Sequence, residues 1–186
     1  MDIEQQIQAE NAGEMQYQEQ QQQQSGGLAG VVVAKITRYL DNYAEKEGKG
    51  WVFGADTDFE AVGFRKKKGK ETGKRQPNVA FVSLERLPAL PSGAVLLAPD
   101  LAVEVFSVTD NPYVMSSKVK EYLAAGVKMV WVVNPPDQMI EVHLPDQLPK
   151  YLTVADEVNS GEVLPGFKLK IADLFGRVVA ATEDED

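Results

Sequence analysis

The sequence places one acidic side chain inside an otherwise apolar run. Glu104 lies within Leu-Ala-Val-Glu-Val-Phe, residues 101–106, between Val103 and Val105. Burying an unpaired carboxylate is costly, so Glu104 must be neutralised, pair with a cation or bind a metal ion. The last two possibilities make it the first candidate site residue.

Two further residues are candidates to share a metal ion with Glu104. The two-residue period of a strand puts Asp100 on the same face as Glu104. Four residues of strand span roughly 13 Å, so both carboxylates reach one ion only if the strand bulges. The better-placed partner is a residue on a neighbouring strand, and Asn78 stands at the head of the preceding strand.

Lys118 is the third candidate, because it lies on the edge of the apolar stripe of a predicted helix. Its ammonium group can therefore reach back over the sheet. A lysine beside bound metal and a scissile phosphate can orient an attacking water and stabilise the developing charge. Two structural alternatives stay open: Glu104 and Lys118 form a buried ion pair, or Asp100 caps a turn after Pro99.

A basic arm contrasts with the net charge of −9 of the whole chain. Between positions 65 and 75 lie seven of the 19 basic residues and one acid, Glu71. Such an arm is suited to contacting the phosphates of DNA, although a solvated hairpin tip would have the same composition. Its members are Arg65, Lys66, Lys67, Lys68, Lys70, Lys74 and Arg75.

The elements that position these residues predict an α/β domain with a mixed sheet flanked by helices. Apolar spacing predicts helices over 28–47 and 110–125, the second capped by Thr109 or Asp110 and followed by a left-handed turn at Gly126. Strand 101–106 is expected to be central, because it is apolar on both sides. The other predicted elements are a strand from Trp51 past Phe59 to Phe64, strands over 78–82, 128–134 and 139–144, a short strand pair around 162–169, and a helical turn over 171–175.

The ends of the chain are predicted to lie outside this domain. Residues 1–27 are rich in glutamine and are expected to be loosely ordered. The domain proper is predicted over 28–176, followed by an acidic tail over 177–186. The amino terminus lacks the features of a signal peptide and no apolar run is long enough to span a membrane, so we expect a soluble, cytoplasmic protein.

Several functional classes are excluded or disfavoured by the composition and the motifs. The absence of cysteine excludes a disulfide scaffold, a zinc–thiolate site and a cysteine nucleophile. The chain contains no phosphate-binding glycine loop, dinucleotide fingerprint or nucleophile elbow. The single histidine, His143, is expected to be solvated rather than a base or ligand. Asp56 and Asp58 are expected to face solvent, with membership of the cleft as the alternative.

An ordered set of short motifs resembles a restriction-endonuclease-like family that is widespread in cyanobacteria and belongs to the PD-(D/E)XK nuclease superfamily. The resemblance runs from Glu14 to Phe175, about nine-tenths of the chain. Each motif is weak alone, but the ordered set is specific. The matching stretches are Val52–Thr57, Pro77–Val82, Pro99–Val105 with Ser107, Lys118 with Tyr122 and Gly126, Val130–Pro135, and Val163–Phe167.

The resemblance implies a restriction-endonuclease-like fold and magnesium- or manganese-dependent hydrolysis of DNA phosphodiesters. It implies that Glu104 is the acid of the (D/E)XK element and that Asp100 is an accompanying carboxylate. It also implies that Lys118 is the catalytic lysine, moved from strand to helix. The metal ligands would be Asp100, Glu104 and Asn78, with a backbone carbonyl near residue 105, and a homodimer would supply one site for each DNA strand.

Two departures from the family pattern define the alternative function. Phe106 stands where the superfamily usually has lysine, and Asn78 stands where the family usually has aspartate. An amide oxygen can ligate magnesium but lacks the negative charge that a hard cation prefers. The alternative is therefore a degenerate nuclease-fold domain that binds DNA or protein without cleaving. A weaker third possibility is a small-ligand or regulatory domain with an incidental basic arm.

Overall fold

The computed structural model describes residues 27–66, 73–107 and 110–175. The predicted glutamine-rich segment, apart from its last residue, and the predicted acidic tail lie outside these ranges. So do Thr109 and three members of the basic arm, Lys67, Lys68 and Lys70, and the side chain of Lys66 is likewise not described. The division of the chain into three segments stays a prediction.

The described residues form two α-helices, ten strands and one short 3₁₀ helix. None of the described helices is long and apolar enough to cross a membrane. The helices are α1 (Gly27–Lys46) and α2 (Pro112–Ala124), and the 3₁₀ helix covers Ile171–Asp173. The strands are β1 (Gly50–Gly54), β2 (Phe59–Lys66), β3 (Gly73–Arg75), β4 (Val79–Ser83), β5 (Leu101–Val105), β6 (Met129–Asn134), β7 (Met139–His143), β8 (Lys150–Leu152), β9 (Glu157–Asn159) and β10 (Lys168–Lys170).

A six-stranded sheet with the order β1-β4-β5-β6-β7-β8 forms the centre of the fold. Strands β5 and β6 are parallel, and every other neighbouring pair in this sheet is antiparallel. All five residues of β5 are buried, which agrees with the apolar flanks of this strand in the sequence. The predicted mixed α/β sheet and its central strand are confirmed.

The sheet separates two apolar cores, because successive residues of a strand point to opposite faces. On one face α1 packs against β1, β4 and β5, with Ile36 and Leu40 in the same core as Val103 and Trp131. On the other face α2 packs with the hairpin of β2 and β3, and Ala102 of β5 belongs to that core. Even-numbered residues of β5, including Glu104, therefore face α2.

The predicted single strand from Trp51 to Phe64 is wrong, because the chain turns within it. The backbone N–H of Thr57 donates to the carbonyl oxygen of Gly54 at 3.2 Å, so β1 ends there. Strand β2 begins at Phe59 and pairs with β3 in a separate two-stranded sheet. The break moves β2 out of the central sheet and over the helix α2.

A glycine allows this hairpin to approach α2 closely. Gly63 in β2 has a φ of 100°, and a Cβ atom built there would lie 2.7 Å from the Cα atom of Ala125. No larger residue fits that space without moving backbone. The close approach places Arg65 of β2 and Arg75 of β3 beside α2.

The predicted cap of α2, Thr109 or Asp110, is wrong, because Asn111 caps the helix. The helix begins at Pro112, whose fixed φ suits the first helical position, and the Asn111 side chain accepts a hydrogen bond from the Tyr113 N–H at 2.9 Å. Asp110 instead accepts from the Ser107 N–H at 2.7 Å. Gly126, with a φ of 89°, supplies the predicted left-handed turn after the helix.

The short strand pair near the carboxyl end begins earlier than predicted. Strand β10 pairs with β9, which starts at Glu157 rather than near Glu162. The reason is local, since the Val163 N–H donates to the Ser160 carbonyl oxygen at 3.0 Å and turns the chain between the two strands.

Candidate functional site

The carboxylate of Glu104 is buried and receives two side chains from α2. Glu104 is 2% exposed. Its Oε2 lies 3.1 Å from the Lys118 ammonium nitrogen, and its Oε1 accepts a 2.6 Å hydrogen bond from the Tyr122 hydroxyl. Lys118 and Tyr122 are four residues apart, so the helix places both on one face. The contact predicted between Glu104 and Lys118 is present.

Tyr122 is held in its protonated form by its surroundings. Burial, followed by the charge of Glu104 and the hydrogen bond to it, raises the pKa of the Tyr122 phenol well above its ordinary value. The phenol is therefore a permanent hydrogen-bond donor to Oε1. Oε2, by contrast, contacts a lysine whose side chain is 36% exposed, so this oxygen has the more solvent-accessible of the two partners.

The Tyr122→Phe variant is expected to lose about 1–2 kcal/mol of unfolding free energy, because a buried carboxylate oxygen loses its donor. Urea denaturation monitored by circular dichroism measures the loss. Tyr113→Phe is the matched control, since Tyr113 is on the same helix and is 87% exposed. Equal stability of Tyr122→Phe and the wild type would show that this hydrogen bond contributes nothing.

Asn78 lies beside Glu104 but its oxygen is engaged elsewhere. The last pair between β4 and β5 is Val79 with Val103, so the same register continued by one residue places Asn78 opposite Glu104. Directly opposite residues have Cβ atoms about 5 Å apart. The Asn78 Oδ1 accepts a hydrogen bond of 2.7 Å from the Val105 N–H. The amide nitrogen, which cannot ligate a metal, is left as the other polar atom of the side chain.

Asp100 belongs to a separate ion-pair cluster. It is 1% exposed, and its Oδ1 lies 2.8 Å from the Lys128 ammonium nitrogen and 3.0 Å from an Arg86 guanidinium nitrogen. Its Oδ2 accepts from the Ser83 N–H at 2.9 Å. None of these described contacts involves Glu104, and the structure does not bring the two acids together. Asp100 is neither the cap of a turn after Pro99 nor a member of the site proposed below.

The donor set around Glu104 does not fit a preformed magnesium site. Within residues 27–66, 73–107 and 110–175, no group of three or more histidines, aspartates and glutamates is arranged to hold a metal ion. Magnesium favours oxygen ligands, with one or two carboxylates. Of the three predicted ligands only Glu104 presents a carboxylate here, and it is already paired with Lys118.

An open cavity of about 570 Å³ connects Glu104 with the described part of the basic arm. We call it the Glu104 pocket. Its basic side chains come from β2, β3 and α2, which meet here because the hairpin lies on the helix. Its charged lining residues are Arg65, Lys74, Arg75, Lys118, Glu104 and Glu121.

Besides Lys118, which is paired with Glu104, two more of these basic side chains are paired with acids. Lys74 forms an ion pair with Asp58, and Arg75 forms one with Glu121. The Asp58 carboxylate also accepts from the Gln76 amide at 2.7 Å. Asp58 is therefore half-buried and is joined to the pocket through Lys74, as the alternative for this residue allowed, whereas Asp56 is exposed.

His143 lies away from the Glu104 pocket, on β7. Its Nε2 is 3.1 Å from the Glu141 carboxylate, and the ring is 19% exposed. The sequence predicts a solvated histidine, but His143 is half-buried beside an acid. A second groove, of about 540 Å³, includes both residues.

Sequence reasoning missed the roles of Tyr122 and Glu121. Tyr122 enters the sequence analysis only as part of a stretch that matches the family, although its spacing of four from Lys118 was the available signal. Glu121 carries no comparable signal, because its partners, the Arg65 N–H and the Arg75 guanidinium, are 56 and 46 residues away in the chain. Only the fold brings them together.

Comparisons with known proteins agree with this architecture. A solved structure described as a "putative nuclease" from Anabaena variabilis is similar to this chain with a TM-score of 0.68 at 18% sequence identity, covering 81% of each chain. At that identity the likeness concerns the fold. No protein of curated function matches the chain.

A family model decides the classification. The model of the Uma2 family, described as "Putative restriction endonuclease", matches residues 6–172. The match includes the strand that carries Glu104 and the helix that carries Lys118 and Tyr122. This chain belongs to the Uma2 family of restriction-endonuclease-like proteins.

Proposed function

We propose that this chain is a nuclease-fold domain that binds the DNA backbone at the Glu104 pocket without efficient metal-dependent cleavage. The hydrogen bond from the Val105 N–H to the Asn78 Oδ1 carries this proposal. With the Asn78 oxygen engaged in this way and Asp100 paired with Lys128 and Arg86, Glu104 is the single available carboxylate among the three predicted ligands. A hard cation prefers more negative charge than one carboxylate supplies. Membership of a family described as restriction endonucleases supports a nucleic-acid ligand.

The charge of the Glu104 pocket supports binding of phosphates. Its lining has four basic side chains and two acidic ones, in a chain with a net charge of −9. Local positive charge in a cleft attracts a polyanion even when the net charge of the protein is negative. Lys118, at the centre of this lining, is the residue we propose to approach a phosphate nearest to Glu104.

Binding and cleavage are tested separately. Fluorescence anisotropy with a labelled DNA duplex in EDTA is expected to show binding that weakens as salt is added, because phosphate contacts release counterions. Lys118→Ala is expected to reduce the salt slope by about one unit. DNA affinity that does not change with salt would contradict a phosphate-binding role and favour the small-ligand alternative.

Cleavage is tested by plasmid nicking with magnesium or manganese. Wild type and Glu104→Ala are expected to nick equally little, since one carboxylate is too few to hold the metal firmly. Glu104→Ala should bind duplex DNA at least as tightly as the wild type, because it removes a negative charge from the pocket. Nicking by the wild type that disappears in Glu104→Ala would reject the proposal.

The second candidate function is a metal-dependent DNA endonuclease acting as a homodimer. The contact of 3.1 Å between Glu104 and Lys118 favours it, because an acid and a lysine side by side are the pair that the family resemblance implies. Glu104 and the backbone carbonyl of Val105 would then hold magnesium or manganese, which neutralises phosphate charge when bound. Loss of nicking in Glu104→Ala is the result that this candidate requires.

A further inference from the structure

We propose that Arg75 and the backbone N–H of Arg65 form a phosphate subsite at the edge of the Glu104 pocket, which the carboxylate of Glu121 fills when DNA is absent. Glu121 would thus be an internal competitor of the DNA backbone. The inference rests on the proposed function, because the phosphates in question are those of bound DNA. It adds to that function a residue, Glu121, that lowers the affinity for DNA.

The donors around Glu121 are those that bind phosphate groups. Its Oε2 accepts a hydrogen bond from the Arg65 N–H at 3.0 Å and a second one from Nη2 of Arg75. A guanidinium and a backbone N–H are common donors to phosphate oxygens in protein–DNA complexes. Charge-assisted hydrogen bonds of this type hold a carboxylate or a phosphate alike.

Arg75 has a donor that Glu121 does not satisfy. Nε of Arg75 is buried and has no hydrogen-bond partner among the described residues. Nη1 of the same guanidinium donates to the Lys74 carbonyl oxygen at 2.9 Å. The Nε and Nη2 hydrogens lie on one edge of the guanidinium, where an anion normally accepts from both. Glu121 contacts only one of them, and a buried donor without an acceptor is costly.

A phosphate would fit this edge better than the carboxylate does. Both groups have two free oxygens, but Glu121 is tethered to α2 and uses only Oε2 for the Arg65 N–H and for Nη2 of Arg75. A DNA phosphate is not tethered there, so one oxygen can accept from Nε while the other accepts from Nη2 and from the Arg65 N–H. The side chains of Arg75 and Glu121 are 21% and 20% exposed, so solvent reaches the pair. Glu121 can leave by rotating about its own side-chain bonds, without movement of the helix.

The position of the subsite fits a DNA strand that crosses the Glu104 pocket. Glu121 lies between Lys118 and Tyr122 on α2, and all three line the same cavity as Arg75. Phosphates at Lys118 and at Arg75 would then belong to one strand. In the absence of DNA, Glu121 neutralises one of the cations that this strand needs.

Glu121→Gln tests the inference with the labelled duplex. It is expected to raise DNA affinity about three- to tenfold at low salt and to steepen the salt slope by about one unit, because Arg75 becomes available to a phosphate. Glu45→Gln, an exposed position on α1, controls for the change in net charge. The gain should disappear in Glu121→Gln with Arg75→Lys, since lysine lacks the two-donor edge. Unchanged or weaker binding by Glu121→Gln would overturn the inference.

A second measurement separates this inference from the proposed function. Inorganic phosphate is titrated while the Nε–H resonance of Arg75 is followed by ¹⁵N NMR, which also shows whether the variant is folded. In Glu121→Gln this resonance is expected to shift at phosphate concentrations that leave the wild type unchanged. A shift without any DNA binding would support the subsite and reject the function. DNA binding without a shift would support the function and reject the subsite.

Discussion

Asn78→Asp is expected to raise manganese affinity and manganese-dependent plasmid nicking on the order of 100-fold, a large effect for a change at a metal site. One oxygen of the new carboxylate can keep the hydrogen bond from the Val105 N–H, which is 2.7 Å long in the wild type. The other replaces the amide nitrogen, so a second carboxylate oxygen is presented next to Glu104. Calorimetric titration with manganese and a plasmid assay measure the two effects.

The controls for Asn78→Asp separate a local effect from a general one. Asn159→Asp makes the same chemical change in β9, outside the central sheet, and should alter neither quantity. Adding Glu104→Ala to Asn78→Asp should remove the gain. If Asn78→Asp bound manganese no better than the wild type, the amide would not be what limits the site.

Asp100→Asn is expected to destabilise the folded protein by about 2–3 kcal/mol at neutral pH. Breaking a buried ion pair costs about 3–5 kcal/mol, and the effect is discounted because Lys128 and Arg86 are 57% and 30% exposed and can be solvated once unpaired. For a chain of this length the loss corresponds to a melting temperature lower by roughly 5–10 °C. Differential scanning calorimetry measures it.

The pH dependence of this loss has a definite sign. Burial acts to raise the pKa of Asp100, but the hydrogen bonds from Lys128 and Ser83 and the charge of Arg86 outweigh it, so the pKa lies below its ordinary value of 3.8. The ionised carboxylate therefore stabilises the folded state above about pH 4, and this contribution is lost as the pH falls through the lowered pKa. The stability difference between wild type and Asp100→Asn should shrink in acid.

Asp156 also contributes to the pH dependence of stability, and its contribution must be separated from that of Asp100. Backbone and side-chain hydrogen bonds from Thr153 lower the pKa of Asp156, so acid should weaken Asp100→Asn as well. The difference between the two proteins isolates Asp100, and Asp41→Asn, at an exposed position on α1, serves as the control. A difference that grows on acidification would contradict the ion-pair explanation.

The central strand and the need of its acid for a partner follow from the sequence alone. Apolar residues on both sides of Glu104 required burial, and a buried carboxylate requires a partner. The apolar stripe of α2 placed Lys118 on the side facing the sheet, and Gly126 marked the end of the helix. These features follow from local periodicity and from the cost of burying charge. Both arguments need only the residues of a single segment.

How the other polar groups are used could not be derived from the sequence. Asp100 and Glu104 share a face of β5, but one meets Lys128 and Arg86 whereas the other meets Lys118 and Tyr122. Strand register fixed the first partners and helix packing fixed the second. Strand register and helix packing both depend on contacts between residues far apart in the chain. The periodicity of a segment predicts which face of the strand or helix a side chain lies on, but not which residues lie opposite that face.

The same reason explains Asn78 and Glu121. The sequence identifies both residue types. Whether the amide oxygen of Asn78 faces a metal or a backbone N–H, however, depends on the register between β4 and β5. Whether Glu121 faced water or Arg75 depended on β2 leaving the central sheet after the turn at Gly54. The sequence determined that an acid and a lysine meet in this domain, and the packing of the hairpin and the helix decided which oxygens and cations are left for a ligand.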